Sequence, residues 1–209
     1  MVKNILFDLG GVLYHISYLK TIEAFKNVGI ENAAHIYSQK QQSQLFDLFE
    51  TGKISEENFF IELKQFAPKT STKELKTSWN SMLLGMPVEY LQLLKNLKKK
   101  YNLYLLSNAN VTHIKHVKAD LQKNNGIKNV ESLFDKAYFS QEIGMRKPHK
   151  ETFKWVLDDA GIKANETLFV EDSMQHIEGA KLAGLHCCHI SSNKALTEAF
   201  LDKALQVCR

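Results

Sequence analysis

The stretch Ile5-Leu6-Phe7-Asp8-Leu9-Gly10-Gly11-Val12 reads as a short apolar strand that ends on a carboxylate followed by two glycines. A compact apolar run of this length suits a strand buried on both faces, and the glycines allow close backbone approach just beyond it. Comparable runs recur at 103–106, 136–140, 167–170 and 186–190. Helical periodicity lies between them, over about 88–100, 111–123, 151–160 and 177–183, with Gly161 and Gly184 stopping the last two. The alternation predicts an α/β fold of Rossmann-like kind, a parallel sheet with helices on both faces.

Between residues 15 and 85 the alternation breaks. Leu45, Leu48, Phe49, Phe59, Phe60, Leu63, Leu75, Trp79, Met82 and Leu83 recur at helical spacing with no credible strand. Ser71 with Glu74 makes a capping box, and Thr51-Gly52-Lys53 followed by Ser55 makes a helix-to-helix turn. The division expected is therefore 1–14 plus 86–209 as the sheet domain, with 15–85 as an inserted helical cap. Phe59, Phe60, Phe66 and Trp79 are expected to fill the core of that insert.

The 209 residues are 44% hydrophobic and 24% charged, the profile of a globular protein with a sizeable core. Apolar runs fall well short of the roughly 20 residues that cross a bilayer, which predicts no membrane association and a cytoplasmic setting. Three cysteines, two of them the adjacent Cys187 and Cys188, suit neither a disulfide framework nor a zinc site. The net charge of +4 includes a dense piece, Lys95 with Lys98 to Lys100, which reads as a solvated helix face rather than a nucleic-acid surface.

Ligands of open parallel sheets bind beyond the carboxyl ends of the strands, and four such ends carry matched chemistry. Asp8 is open as nucleophile, metal ligand or both. Ser107 and Asn108 precede a helix whose first N–H groups can face an anion, although both residue types are also ordinary helix caps. In Arg146-Lys147-Pro148 the proline biases Lys147 toward an extended backbone, which fixes where its long side chain starts. Glu171 and Asp172 are consecutive carboxylates that repel one another, and a hard, oxygen-ligated cation such as magnesium is the natural remedy.

Taken in order, Asp8 before Gly10-Gly11-Val12-Leu13, Ser107-Asn108, Lys147-Pro148, and Glu171-Asp172-Ser173 leading to Gly179-Ala180 and Ala183-Gly184 resemble the haloacid dehalogenase-like hydrolase superfamily. The branch is the one with a helical cap inserted after the first strand. Together with His113 and Glu50-Thr51-Gly52-Lys53-Ile54-Ser55, the motifs are most similar to small-sugar-phosphate phosphatases and to the phosphatase domains of bifunctional epoxide hydrolases. The resemblance implies a magnesium-dependent phosphatase acting on a small phosphorylated metabolite through an aspartyl-phosphate on Asp8. It implies Asp8, Lys147 and Ser107 as catalytic residues, and Gly10, Gly11, Asn108, Ala109 and Lys53 as substrate contacts. The metal set it implies is Asp8, the Gly10 carbonyl, Glu171 and Asp172.

Two departures bear on this reading. Most phosphatases of the superfamily carry a second aspartate two residues after the nucleophile, where this chain has Gly10. Tyr14 and His15 are the substitutes that sequence proximity offers. His176 stands where many members place another carboxylate or amide. True haloacid dehalogenases also lack the second aspartate, but they lack the acidic pair as well. A non-catalytic phosphate-binding or partner-binding protein on the same fold is the other alternative. His186-Cys187-Cys188-His189 is expected to be a packed strand, since alternation sends its ligand types to opposite faces.

Overall fold

The computed structural model describes residues 1–37, 44–191 and 195–208. In chain order the elements are β1 (Asn4–Phe7), β2 (His15–Ile16), α1 (Tyr18–Asn27), α2 (Ala33–Ile36), α3 (Gln44–Glu50), α4 (Glu56–Lys64), α5 (Thr72–Asn80) and β3 (Leu83–Gly85). There follow α6 (Val88–Leu97), β4 (Asn102–Ser107), α7 (Val111–Asn125), β5 (Lys136–Phe139), α8 (Ser140–Ile143), α9 (Lys150–Ala160), β6 (Thr167–Glu171), α10 (Met174–Leu182), β7 (His186–His189) and α11 (Glu198–Val207).

The main sheet is parallel, in the order β5-β4-β1-β6-β7, with β1 at its centre. Side chains of β1 alternate between two cores. Ile5 and Phe7 join Leu105, Val170, Leu94, Ile114 and Leu201 on one face, while Leu6 joins Leu106, Phe169, Phe153, Val156 and Ile177 on the other. Burial on both faces explains why β1 is a continuous apolar run. Phe7 stands opposite Leu105 on one side and Val170 on the other, so the next residue, Asp8, comes level with Glu171.

Helices α1–α5 pack around a core of their own, with Phe25, Phe46, Phe49, Phe59, Phe60, Leu63, Leu75 and Trp79 all buried. Phe49 stacks on Phe59 at 4.1 Å between centroids, and Phe46 and Trp79 meet at 5.1 Å. Phe66 does not belong to this core: it sits just past α4, half exposed, at a position the helical spacing alone could not separate from its neighbours. The capping box of Ser71 and Glu74 forms in full, and Ser55 caps α4 by accepting from the Asn58 N–H. An expectation of helices alone over 15–85 is corrected by β2 and β3, which pair antiparallel where the chain leaves and re-enters the sheet region. Each is too short, at two and three residues, to leave a periodic signal.

Lys95 and Lys98–Lys100 lie at the C-terminal end of α6, exposed, where cations complement the helix dipole; Lys100 also pairs with Glu198 at 2.8 Å. No helix among the described residues is long and apolar enough to cross a membrane.

Candidate active site

Three strand ends and one loop converge on Asp8. Lys147 is completely buried, and its Nζ donates to Asp8 Oδ1 at 2.6 Å and to Glu171 Oε2 at 2.7 Å. A buried ammonium is tolerable only when paired in this way. Its backbone is fixed by Asn108, whose Nδ2 donates to the Lys147 carbonyl at 2.9 Å while Oδ1 accepts the Lys147 N–H at 3.0 Å. The Lys147–Pro148 peptide is cis. Neither Ser107 nor Asn108 caps α7; Asn110 does, by accepting from the His113 N–H at 3.0 Å, which leaves Ser107 and Asn108 to line the cleft.

Asp8, Glu171 and Asp172 each bring a carboxylate oxygen within 4.8 Å of the others. Burial, then Glu171, pushes the Asp8 carboxyl up to about 7 against the pull of Lys147. Burial, then Asp8, pushes Asp172 up to about 8. Glu171, in spite of its own burial, is held well below the usual carboxylate range by Lys147 and His176, whose Nδ1 lies 2.9 Å from Oε2. Burial and Lys147 lower the His176 pKa, and beside a carboxylate oxygen its Nδ1 is the donor. Three carboxylates share one ammonium in a buried site, so Asp8 and Asp172 tend to hold their protons, and a small dication would let both ionise. Gly11 makes the approach possible: at φ +86°, its missing side chain is where the Asp172 carboxylate stands.

The nominated contacts divide. Asp8, Gly10, Ser107, Asn108, Ala109, Lys147 and Asp172 line one cleft, which Tyr18, Tyr37 and Glu50 close from the helical side. The Ala109 N–H, however, already donates to Ser140 Oγ at 3.0 Å, so Ala109 offers the cleft its methyl group. Lys53 is exposed and lines a separate depression beside Asp47 and His149; Glu50 and Thr51 are the buried members of this stretch, and of the two Glu50 lines the cleft. Neither substitute acid is placed to reach a leaving group. The Tyr14 hydroxyl donates to Asp120 at 2.6 Å, and His15 lies outside the cleft, edge-on to Tyr90. Gly10 has an apolar neighbour, since a Cβ there would meet Ile16 Cδ1 at 3.3 Å. Tyr18, Tyr37 and Arg146 are cleft residues that carried no assigned role, because nothing in linear spacing places α1 or the 146 side chain over Asp8.

His113 also lines the cleft, buried and stacked on Trp79 at 4.4 Å between centroids. A carbonyl can only accept, so His113 Nε2 donates to the Trp79 oxygen at 3.2 Å and Nδ1 is the acceptor. Burial lowers its pKa from 6.5 to about 3. The unfolded chain therefore binds this proton at a pH where the folded one does not, and stability falls as pH drops from 6.5 toward 3. The slope is roughly 1.4 kcal/mol per pH unit. Urea denaturation of His113→Gln at several pH values should show a flatter acid limb than the wild type; an equal slope would rule out His113 as the titrating group. His186, Cys187, Cys188 and His189 do not converge: His186 Nε2 turns to the Asn165 carbonyl and His189 Nε2 to the Asp172 carbonyl.

Residues 5–190 match the family model described as haloacid dehalogenase-like hydrolase. The chain is 31% identical to D-ribitol-5-phosphate phosphatase of Bacteroides thetaiotaomicron, over 88% of this chain and 89% of that protein. It is 27% identical to glyceraldehyde 3-phosphate phosphatase of Methanocaldococcus jannaschii, over 93% and 87% of the two chains. A crystal structure of a family enzyme from Bacteroides thetaiotaomicron, in complex with magnesium and inorganic phosphate, superposes with a TM-score of 0.87 at 35% identity, covering 96% of this chain and all of that one. Sequence, fold and strand-end geometry thus agree, and the chain belongs to the haloacid dehalogenase-like hydrolase family.

Proposed function

We propose that the protein is a magnesium-dependent phosphomonoester hydrolase of small sugar or polyol phosphates, with Asp8 as its nucleophile. One observation carries the reading: Lys147 bridges Asp8 and Glu171 inside a cluster of three carboxylates that outnumber their one ammonium. Asp8 attacks phosphorus, the bond to the leaving oxygen breaks, and water then hydrolyses the aspartyl-phosphate. Lys147 favours the ionised form of Asp8 and offsets charge on the transferring oxygens, while the Ser107 hydroxyl and the Asn108 N–H orient them. Asp8, the Gly10 carbonyl and Asp172 would hold the magnesium, with Glu171 binding directly or through water. The ion supplies further neutralisation of phosphoryl charge. Residues 1–14 and 86–209 form the catalytic core in this reading, and 15–85 the cap.

The cleft supports a small polar leaving group. It encloses about 90 Å³, room for several waters' worth of ligand, and Tyr18, Glu50, His113 and Arg146 give it a hydrogen-bonding wall. Two of the named phosphatases among its relatives act on a pentitol phosphate and a triose phosphate. With Gly10 facing Ile16, no side chain at position 10 protonates the leaving oxygen, so turnover is slow and favours good leaving groups, such as anomeric phosphates. Free thiols at Cys187, Cys188 and Cys208 support a reducing, cytoplasmic setting.

The test is phosphate release from ribitol 5-phosphate, glyceraldehyde 3-phosphate, and hexose 1- and 6-phosphates, with and without magnesium. Magnesium-dependent release from at least one is expected. Silence across the set, in folded protein that binds magnesium, would favour a non-catalytic phosphate-binding protein, the reading that Gly10 and Ile16 keep open.

A further inference from the structure

Among 27 basic residues the chain uses arginine only twice, at Arg146 and Arg209. One of these two guanidiniums stands immediately before Lys147. The structure shows what the planar fork does there. Arg146 Nη1 meets Asp47 Oδ1 at 2.7 Å, and Nη2 meets Glu50 Oε2 at 3.2 Å, so one side chain spans two carboxylates a turn apart on α3. An ammonium is a point charge and cannot reproduce that two-armed geometry.

The same side of α3 is docked at two further points. Ser140 Oγ donates to the Glu50 carbonyl at 2.5 Å, and Gly52 lies so close to the Gln141 carbonyl that a Cβ there would collide with it. Arg146 also belongs to the segment that seats Lys147. Its carbonyl accepts from Thr152 Oγ1 at 2.8 Å, and Asn108 clamps the next residue from both backbone sides.

We propose that Arg146 is a positioning residue that couples docking of the α1–α5 helices over the cleft to the seating of Lys147, by forking between Asp47 and Glu50. This rests on the phosphatase reading for its catalytic consequence, though not for the docking itself. When α3 lifts, Arg146 loses both carboxylates and the segment leading into Lys147 loses its anchor on that side. When α3 lands, the anchor re-forms and Lys147 is held against Asp8. Asp47 is the half-exposed arm, and Glu50 is the buried arm that also lines the cleft.

The experiment compares wild type, Arg146→Ala, Arg146→Lys, Asp47→Asn and the remote surface variant Lys3→Ala. Hydrogen exchange over residues 44–55 is followed with magnesium and inorganic phosphate present, and phosphate release is measured on whichever test substrate responds. Arg146→Ala should speed exchange in that segment by about 10-fold or more while leaving β1 and β4 protection unchanged, and should lower kcat about 10-fold. Arg146→Lys should fail to restore either. Asp47→Asn should give a partial effect, and Lys3→Ala, which removes an exposed pair with Glu166, should give none. Unchanged exchange and kcat in Arg146→Ala, or full rescue by lysine, would overturn the coupling. If Arg146→Ala does not fold, Arg146→Lys and Asp47→Asn decide by the same criteria. If the wild type releases no phosphate from any substrate, the phosphatase reading fails, and the exchange comparison alone still supports or overturns the docking role.

Discussion

Lys147→Met is expected to destabilise the metal-free protein by about 3–5 kcal/mol, because it leaves Asp8 and Glu171 buried without their shared cation. Methionine preserves length and apolar volume, so the loss reports charge rather than a cavity. Magnesium should restore part of the stability, since a dication among the same carboxylates reduces the same repulsion. Activity should not return with it. Removing a donor aimed at the transferring phosphoryl group costs on the order of 10²–10³-fold in kcat. Denaturation with and without magnesium, beside phosphate release, checks both arms; a loss below about 1 kcal/mol with near-normal turnover would show that Lys147 is neither the structural nor the catalytic counter-ion.

Gly11→Ala is expected to lose stability through backbone strain and to bind magnesium at least about 10-fold more weakly through a clash with Asp172. The φ of +86° strains any residue with a Cβ, by about 1–3 kcal/mol, and the methyl group would occupy the place of the Asp172 carboxylate. Gly126→Ala separates the causes, because Gly126 has φ +68° at the end of α7 and nothing within 4 Å of an added Cβ. Both variants should lose stability, but only Gly11→Ala should lose affinity for magnesium, measured by calorimetric titration. Equal affinity in the two would remove Asp172 from the metal site.

Much of this was legible in the chain. A strand buried on both faces leaves an uninterrupted apolar run, so β1, β4 and β6 could be read directly, and the polar residue that ends each run lies at the sheet's carboxyl edge. That is why Asp8, Ser107 and Glu171 could be picked out by position. Lys147 was visible because proline follows it.

What stayed hidden was set by tertiary approach. Linear spacing offers Lys53 and Glu50 equally as cleft residues, and only the docking of Gly52 against Gln141 turns Glu50 inward and Lys53 outward. Sequence proximity offers Tyr14 as a substitute acid, but its hydroxyl is engaged in donating to Asp120, more than a hundred residues away. Ala109 likewise gave its N–H to Ser140, a partner on another strand end. Short pairings such as β2 with β3 leave no period to detect.

Phosphoryl transfer by Asp8, supported by magnesium and Lys147, underlies every role proposed for the cleft. Its most direct test is the rate of phosphate release by the wild type and by Asp8→Asn, each with magnesium and with chelator. Release is expected only from the wild type with magnesium, and none above background in the other three conditions. Magnesium-dependent release that survives in Asp8→Asn would contradict it.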